Sequence, residues 1–385
     1  MMNKNMKAII NAKIFLNDEI IESKVLLFDH KIVNIVDEID LADIEIINAN
    51  GAYVSAGFID LHIHGSGGAD VMDATPDALE TISSILLQTG TTSFLATTMT
   101  MSGEDIDKAL QNIQIHAAKV SGAQVLGIHL EGPFINADKH GAQDKEYVQA
   151  PNMALIENYM QEVKMMTLAP EIEGAEGFVK LLTKEYPHVI LSIGHSDASY
   201  EESQKSFAWG ISHATHLFNA MTPYHHRKPG IVGAVFDSDV TCDIIADLVH
   251  IHPSTLELVQ KVKKEKLILI TDAMRAGCMK CGTYDLGGRS VEVDDGKAIL
   301  EDGTLAGSVL KMNEALSNMK KCTSMSLVEI VNSATKIPAA KLGVNKGQLK
   351  EGYDADIVIF DENFSIISTI VSGEVKYKRA SNSFA

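Results

Sequence analysis

Eight short apolar runs punctuate the middle of this sequence and longer stretches of helical period separate them, so the chain has to alternate buried strands with covering helices. The runs are Phe58 to His62, Ser93 to Thr97, Val125 to Leu130, Met165 to Ala169, Val189 to Ile193, Ser212 to His216, Ile244 to Val249 and Leu267 to Thr271. Pro76 to Thr89 is typical of what lies between them: Leu79, Ile82, Ile85 and Leu86 share one face, and Gly90 stands where a helix would stop. Eight such repeats over roughly 290 residues suit a (β/α)8 barrel, whose usual size is ~250 residues with insertions common. A doubly wound open sheet is the main competitor. No G-x-G-x-x-G follows the first run and no P-loop occurs, so nothing supports the nucleotide sites such sheets usually carry. The expected class is α/β, a TIM barrel over residues 56–345.

The flanks have another texture. Short β-branched runs such as Val25 to Phe28, Lys31 to Val36 and Ile357 to Phe360, divided by turn residues, predict one small β-sandwich domain formed by residues 1–55 and 346–385 together. Thirty-three Lys and Arg against 51 Asp and Glu leave a formal charge of −18, a field that repels nucleic acid and anionic membranes. Lys4 and Lys7 lie near the start, but Asn11 and Lys13 interrupt the apolar stretch that a secretory leader needs. No run approaches the roughly 18 apolar residues of a membrane helix. Cys242, Cys278, Cys281 and Cys322 are too few to staple so long a chain, which points to a reducing compartment and a cytoplasmic address. Cys278 and Cys281 form a single C-x-x-C without a partner pair and read as accidental.

A barrel of this kind presents its reactive groups at the C-terminal ends of its strands. His62 and His64 end the first run, Glu131 follows the third, His195 the fifth, His216 ends the sixth, His250 follows the seventh and Asp272 the eighth. A lone histidine at a strand end is usually a surface or packed residue, and it is the coincidence at several ends that signals a metal site. Residues two apart on a strand face the same way, so His62 and His64 can bind one cation through imidazole nitrogen. Glu131, His195 and His216 would complete a second set of ligands. A mixed imidazole and carboxylate set suits zinc or iron(II) better than calcium or magnesium. His30, His116 and His188 have no comparable placement, and His129 faces the barrel interior as a packing or supporting group.

The strings GFIDLHIHGSGG, HLEGPF, GHSDA, HATHLFNAMTPYHHRKPG, LILITDAM, DGTLAGS and KGQLKEGYDADIVIFD, in this order over nearly the whole chain, resemble the amidohydrolase superfamily and within it the N-acetylglucosamine-6-phosphate deacetylases. The resemblance implies that Glu131, His195 and His216 hold a metal and that Asp272 is the catalytic acid and base as well as a metal contact. Retention of His62 and His64 implies the kind of member that holds two divalent ions rather than one, zinc or iron(II). Run four ends Leu168-Ala169-Pro170-Glu171, so no bridging lysine is expected there. The phosphate of an amino-sugar substrate would be held at Asn219, Ala220 and Arg227, the sugar at His250, and the acetyl group under the loop Leu305, Ala306, Gly307 and Ser308. Many relatives read Gly-Ala-His where this chain has Gly141-Ala142-Gln143, with Ala142 and Gln143 then facing the sugar. Glutamine can still bond a hydroxyl, and both the glucosamine and galactosamine epimers satisfy this reading. Another amidohydrolase, acting on a cyclic amide or aminated base, would share the metal residues without needing Arg227. A non-catalytic metal protein would have no use for Asp272. The resemblance also implies a homodimer.

Overall fold

A computed structural model describes residues 6–16, 18–38 and 44–380; Lys4 of the leader argument, and parts of the span 1–55 and of 346–385, lie outside them. Eight parallel strands form the central sheet: β1 (Phe58–Ile63), β2 (Thr91–Thr97), β3 (Gln124–Glu131), β4 (Val163–Leu168), β5 (Ile190–Ile193), β6 (His213–Ala214), β7 (Thr241–Ile245) and β8 (Leu267–Ile270). Each pairs with its sequence neighbour from β1 through to β8, and a parallel bridge between Ile63 and Ala273 brings the two ends together. This is the (β/α)8 barrel that the eight runs predict. Strands buried on both faces read as continuous apolar stretches, and all four residues of β8 are buried.

The helix Pro76–Leu86 shows how sequence sets the covering layer. Thr75 caps its start by accepting the Ala78 N–H at 3.1 Å, and Pro76 takes the first position, where no backbone donor is needed. Leu79, Ile82 and Leu86 are buried, each side chain stabilising the fold by about 1.5–3 kcal/mol. A short tighter turn, Leu87–Thr89, carries the chain to Gly90 at φ +80°. A Cβ there would come within 2.7 Å of the Phe58 ring, so conformation and space both require glycine.

Two strands depart from the predicted runs. The sixth shrinks to His213–Ala214 because His216 already has φ +31° and has left the strand. The seventh begins at Thr241, three residues before the apolar run, because buried Asp243 belongs to it and is partnered by His213 at 2.9 Å. Periodicity of apolar residues does not register a strand that is polar inside.

The chain ends meet in a six-stranded sheet ordered Glu374–Lys378, Ile366–Val371, Ile357–Phe360, Tyr53–Ala56, Lys13–Leu16, Glu19–Ile21, in which Ile357 pairs antiparallel with Ala56. A four-stranded sheet faces it through Ile9, Leu26 and Phe28, packed with Ile14, Val54 and Ile357. Phe360 lies 6.1 Å from Phe58, which links this β layer to β1. After β8 a three-stranded sheet, Gly282–Leu286, Arg289–Asp294 and Lys297–Leu300, extends over the barrel mouth, where Arg289 donates to the Ala142 carbonyl at 3.1 Å. Among the described residues no helix is long and apolar enough to cross a membrane.

Candidate active site

The strand ends converge as the barrel geometry requires. His62 on β1 and His64, one residue past its end, face the barrel mouth together, and Glu131 is the last residue of β3. His195, His216 and Asp272 each stand two residues beyond a strand, with φ of +50°, +31° and +49°. This left-handed backbone costs of order 1 kcal/mol or more at a residue that is not glycine, and it persists only where the surroundings hold it. Here it turns the chain sharply so that the side chain points into the mouth. The Asp272 N–H donates to the His62 carbonyl at 2.9 Å, and the His216 N–H donates to the Asp243 carboxylate.

Four imidazole nitrogens gather on one carboxylate. Glu131 Oε1 lies 3.0 Å from His216 Nε2, 3.2 Å from His195 Nε2 and 3.4 Å from His62 Nε2, while Oε2 lies 3.3 Å from His64 Nε2. Asp272 Oδ1 is 3.3 Å from both His62 Nε2 and His64 Nε2, which are themselves 3.2 Å apart. The outer nitrogens explain this crowding. His64 Nδ1 donates to the Thr97 carbonyl at 3.3 Å and His195 Nδ1 to the Lys139 carbonyl at 2.9 Å, so their Nε2 atoms carry lone pairs, assigned from these partners. With neutral rings, the His64 and His195 lone pairs face carboxylate oxygens, an arrangement that calls for positive charge. The ligand atoms of His62, His64 and Asp272, and those of His62, Glu131 and His216, form two groups lying within 4.8 Å of one another. Buried nitrogen and oxygen acceptors in such groups fit a divalent metal ion.

The electrostatics agree. Burial pushes the Asp272 carboxyl up, but the His62, His64 and His216 imidazoles outweigh it and hold it at about 2. Glu131 is likewise pushed up by burial and brought well below the carboxylate range by His62, His195 and His216. Burial lowers His64, yet hydrogen bonds to Asp272 and Glu131 raise it well above the usual histidine value, so that without a metal a proton on His64 meets the same demand for positive charge. His129 is the exception, driven well down by burial and by His62; it packs 4.6 Å from the His62 ring and bonds the Leu61 carbonyl and the Thr167 hydroxyl.

Above these groups opens a cavity of about 240 Å³. Ala142, Gln143, Asn219, Ala220, His250, Leu305 and Gly307 line it together with His64, Glu131, His195, His216 and Asp272. Gln143 is engaged at both ends of its amide, accepting the Thr100 N–H at 2.8 Å and donating to Glu131 Oε2 at 2.9 Å. His250 is oriented by Asp247, 2.7 Å from its Nδ1, which leaves Nε2 as the free acceptor. Ala306 and Ser308 are buried behind the loop rather than on the cavity wall, Ser308 donating to the Thr271 carbonyl at 2.5 Å. Arg227 lies outside the lining, exposed, with its guanidinium 2.7 Å from His226 Nε2. Sequence reasoning missed Met99, Leu286 and Thr304 on the wall, and Asp60, Asp243 and Asp247 beneath it. Asp60 was signalled, because D-x-H-x-H puts it on the face of His62 and His64. The other residues carry no local sign.

The amidohydrolase family profile matches residues 53–376, which takes in the barrel, every proposed ligand group and, but for the end of the last one, the strands of the terminal sheet that follow it. This chain belongs to the amidohydrolase family. This amidohydrolase is 42% identical over 356 residues to the N-acetylglucosamine-6-phosphate deacetylase of Lysinibacillus sphaericus, covering 90% of this chain and 92% of that one. It is 34% identical to the N-acetylgalactosamine-6-phosphate deacetylase of Escherichia coli O157:H7, over 89% of this chain and 92% of the relative. The crystal structure of N-acetylglucosamine-6-phosphate deacetylase from Pasteurella multocida superposes with a TM-score of 0.92 at 31% identity, covering 97% of this chain and 100% of that one.

Proposed function

We propose that this amidohydrolase hydrolyses the acetamide of N-acetylglucosamine 6-phosphate to glucosamine 6-phosphate and acetate. The observation that carries the reading is the meeting of the Asp272 carboxylate with the His62 and His64 Nε2 atoms at the floor of the cavity, in a chain 42% identical to a deacetylase of that substrate. Glu131, His195 and His216 would hold one divalent ion and His62, His64 and Asp272 a second, zinc or iron(II). When bound, such an ion supplies Lewis acidity to the acetamide carbonyl and acidifies water toward a pKa of ~7. Asp272, ionised by its surroundings, takes the proton of the attacking water and then gives it to the leaving amine, so one carboxylate is base and then acid. The Asn219 and Ala220 segment would receive the phosphate, with Arg227 following on the same loop as the local cation that a dianion needs on a chain of net charge −18. His250 would bond a sugar hydroxyl, Ala142 and Gln143 would border the ring, and Leu305 would cover the acetyl methyl, with Ala306, Gly307 and Ser308 setting that loop.

Residues 1–55 with 346–385 form, in this reading, a β-sandwich domain beside the catalytic barrel, supported by the pairing of Ile357 with Ala56. A cytoplasmic homodimer is the form we propose, the compartment on the four free cysteines and the dimer on what the family resemblance implies. Acetate release decides the function. Expected is rapid release from N-acetylglucosamine 6-phosphate, slower release from the galactosamine epimer, little from unphosphorylated N-acetylglucosamine, and none with chelator. Faster release from the epimer would assign the other substrate, and equal release from the unphosphorylated sugar would remove the phosphate site.

A further inference from the structure

β1 and β8 are the two edges of the eight-strand ladder, and side chains help to close the seam between them. Beyond the end of β8, the His64 N–H donates to the Ala273 carbonyl at 2.9 Å, just as the Asp272 N–H meets His62. One layer deeper lies Asp60, fully buried, on the same face of β1 as His62. Its carboxylate accepts the Thr271 hydroxyl at 2.5 Å, the Thr271 N–H at 3.2 Å and the His62 N–H at 3.2 Å. Thr271 is also held from its other side. Its hydroxyl oxygen accepts the Ala273 N–H at 3.2 Å and its carbonyl accepts the Ser308 hydroxyl at 2.5 Å.

Thr271 is thus pinned at hydroxyl, N–H and carbonyl immediately before Asp272, whose φ of +49° needs such restraint. A buried carboxylate is a costly way to fill a seam that two apolar side chains could fill, unless it captures donors that would otherwise be orphaned. Asp60 captures three, two of them on Thr271 and one on His62. It therefore couples the ligand-bearing end of β1 to the residue that precedes the proton carrier.

We propose that Asp60 and Thr271 are positioning residues: their carboxylate–hydroxyl clasp fixes the strained backbone of Asp272 and so keeps the Asp272 carboxylate 3.3 Å from His62 and His64. The inference rests on the reading of Asp272 given under Proposed function. The clasp touches neither the cavity nor the sugar, so its loss should change turnover and leave substrate affinity alone.

Thr271→Val keeps the shape and removes the hydroxyl, whereas Thr271→Ser keeps the hydroxyl. For Thr271→Val, kcat is expected to fall roughly ten- to a hundredfold, as for a displaced reacting group, with KM within about twofold. Thr271→Ser should recover most of that loss. The visible absorption of the cobalt(II)-loaded protein, a readout independent of turnover, should change in the Val variant and match the parent in the Ser variant. An unchanged kcat and spectrum in Thr271→Val, or an equal loss in Thr271→Ser, overturns the clasp. Should Thr271→Val not fold, Asp60→Asn decides by the same two readouts, with an unchanged kcat overturning the clasp. Asp272→Asn, run alongside, separates the two ideas: an inactive Asp272→Asn beside a fully active Thr271→Val sinks the clasp alone, and a fully active Asp272→Asn sinks the reading on which it rests.

Discussion

Asp272 has to be ionised while buried, and three imidazoles make that possible at a site where desolvation alone would keep the carboxyl protonated. Asp272→Asn keeps the size of the side chain and its backbone constraints but removes its basicity. Turnover should fall by about 10²–10⁴ while KM changes little, measured as acetate release under saturating substrate. Full activity would hand the proton transfer to another group. Arg227 is the opposite kind of residue, exposed and resting on His226, with no part in holding the fold. Its replacement by Ala should raise KM roughly tenfold for the phosphorylated substrate and leave kcat and thermal stability intact. Titration of KM against substrate would show an unchanged value if Arg227 never meets the phosphate. His62, His64, Glu131, His195, His216 and Asp272 could be picked out because the barrel rule says where on each strand to look, and it was their coincidence at several strand ends, not any one of them, that pointed to a shared site. What sequence could not reveal is which nitrogen of His64 and of His195 is free. That depends on the Thr97 and Lys139 carbonyls, contributed by distant backbone that no residue type encodes.

At the scale of elements, legibility followed burial chemistry. β8 and β2 are buried throughout and were found at the right places, since a strand covered on both faces announces itself as an apolar or β-branched run. β7 was misplaced because its inner face carries Asp243, a buried acid partnered by His213 of β6 and by the His216 N–H, and β6 was overdrawn because the chain leaves the strand before His216. The same region holds a lysine whose titration reports on packing. Lys341, in the helix Lys336–Leu342, donates to the Ser212 carbonyl at 2.7 Å and its hydroxyl at 3.0 Å, tying that helix to the start of β6. Burial lowers its pKa from 10.5 to about 8. Because the folded value lies below the unfolded one, the unfolded chain binds more protons in the window between them. Stability contributed by this group is therefore lowest below pH about 8 and rises as pH climbs from about 8 toward 10.5, where the unfolded chain loses its proton as well. Lys341→Met should abolish that rise. Denaturant midpoints measured at intervals across the window test it: parallel curves for parent and variant would show that the amine is not desolvated.

For the whole molecule, the decisive fact is that the proposed ligands come from β1, β3 and the segments after β5, β6 and β8, so an ion held by them ties together parts of the chain far apart in sequence. The unfolded chain cannot assemble that set. A ligand that binds only the folded state stabilises it by mass action, about 2.7 kcal/mol when its free concentration is a hundredfold above Kd. Removing the ion has a second consequence, because Glu131 and Asp272 would then be left to histidine protons for their positive charge. Stripping the protein with chelator should therefore lower its melting temperature by several degrees as well as stop acetate release, and added zinc or iron(II) should restore both together. Glu131→Gln preserves shape but withdraws the carboxylate on which four Nε2 atoms converge, so its melting temperature should respond far less to added metal. Differential scanning calorimetry on both proteins, with metal content measured on the same samples, makes the comparison. If the metal-free and metal-loaded parent melt together, the strand ends are held by packing alone. The lone pairs that face one another across the barrel mouth would then have to be reconciled by protons, and the pH dependence of melting should steepen through the histidine range.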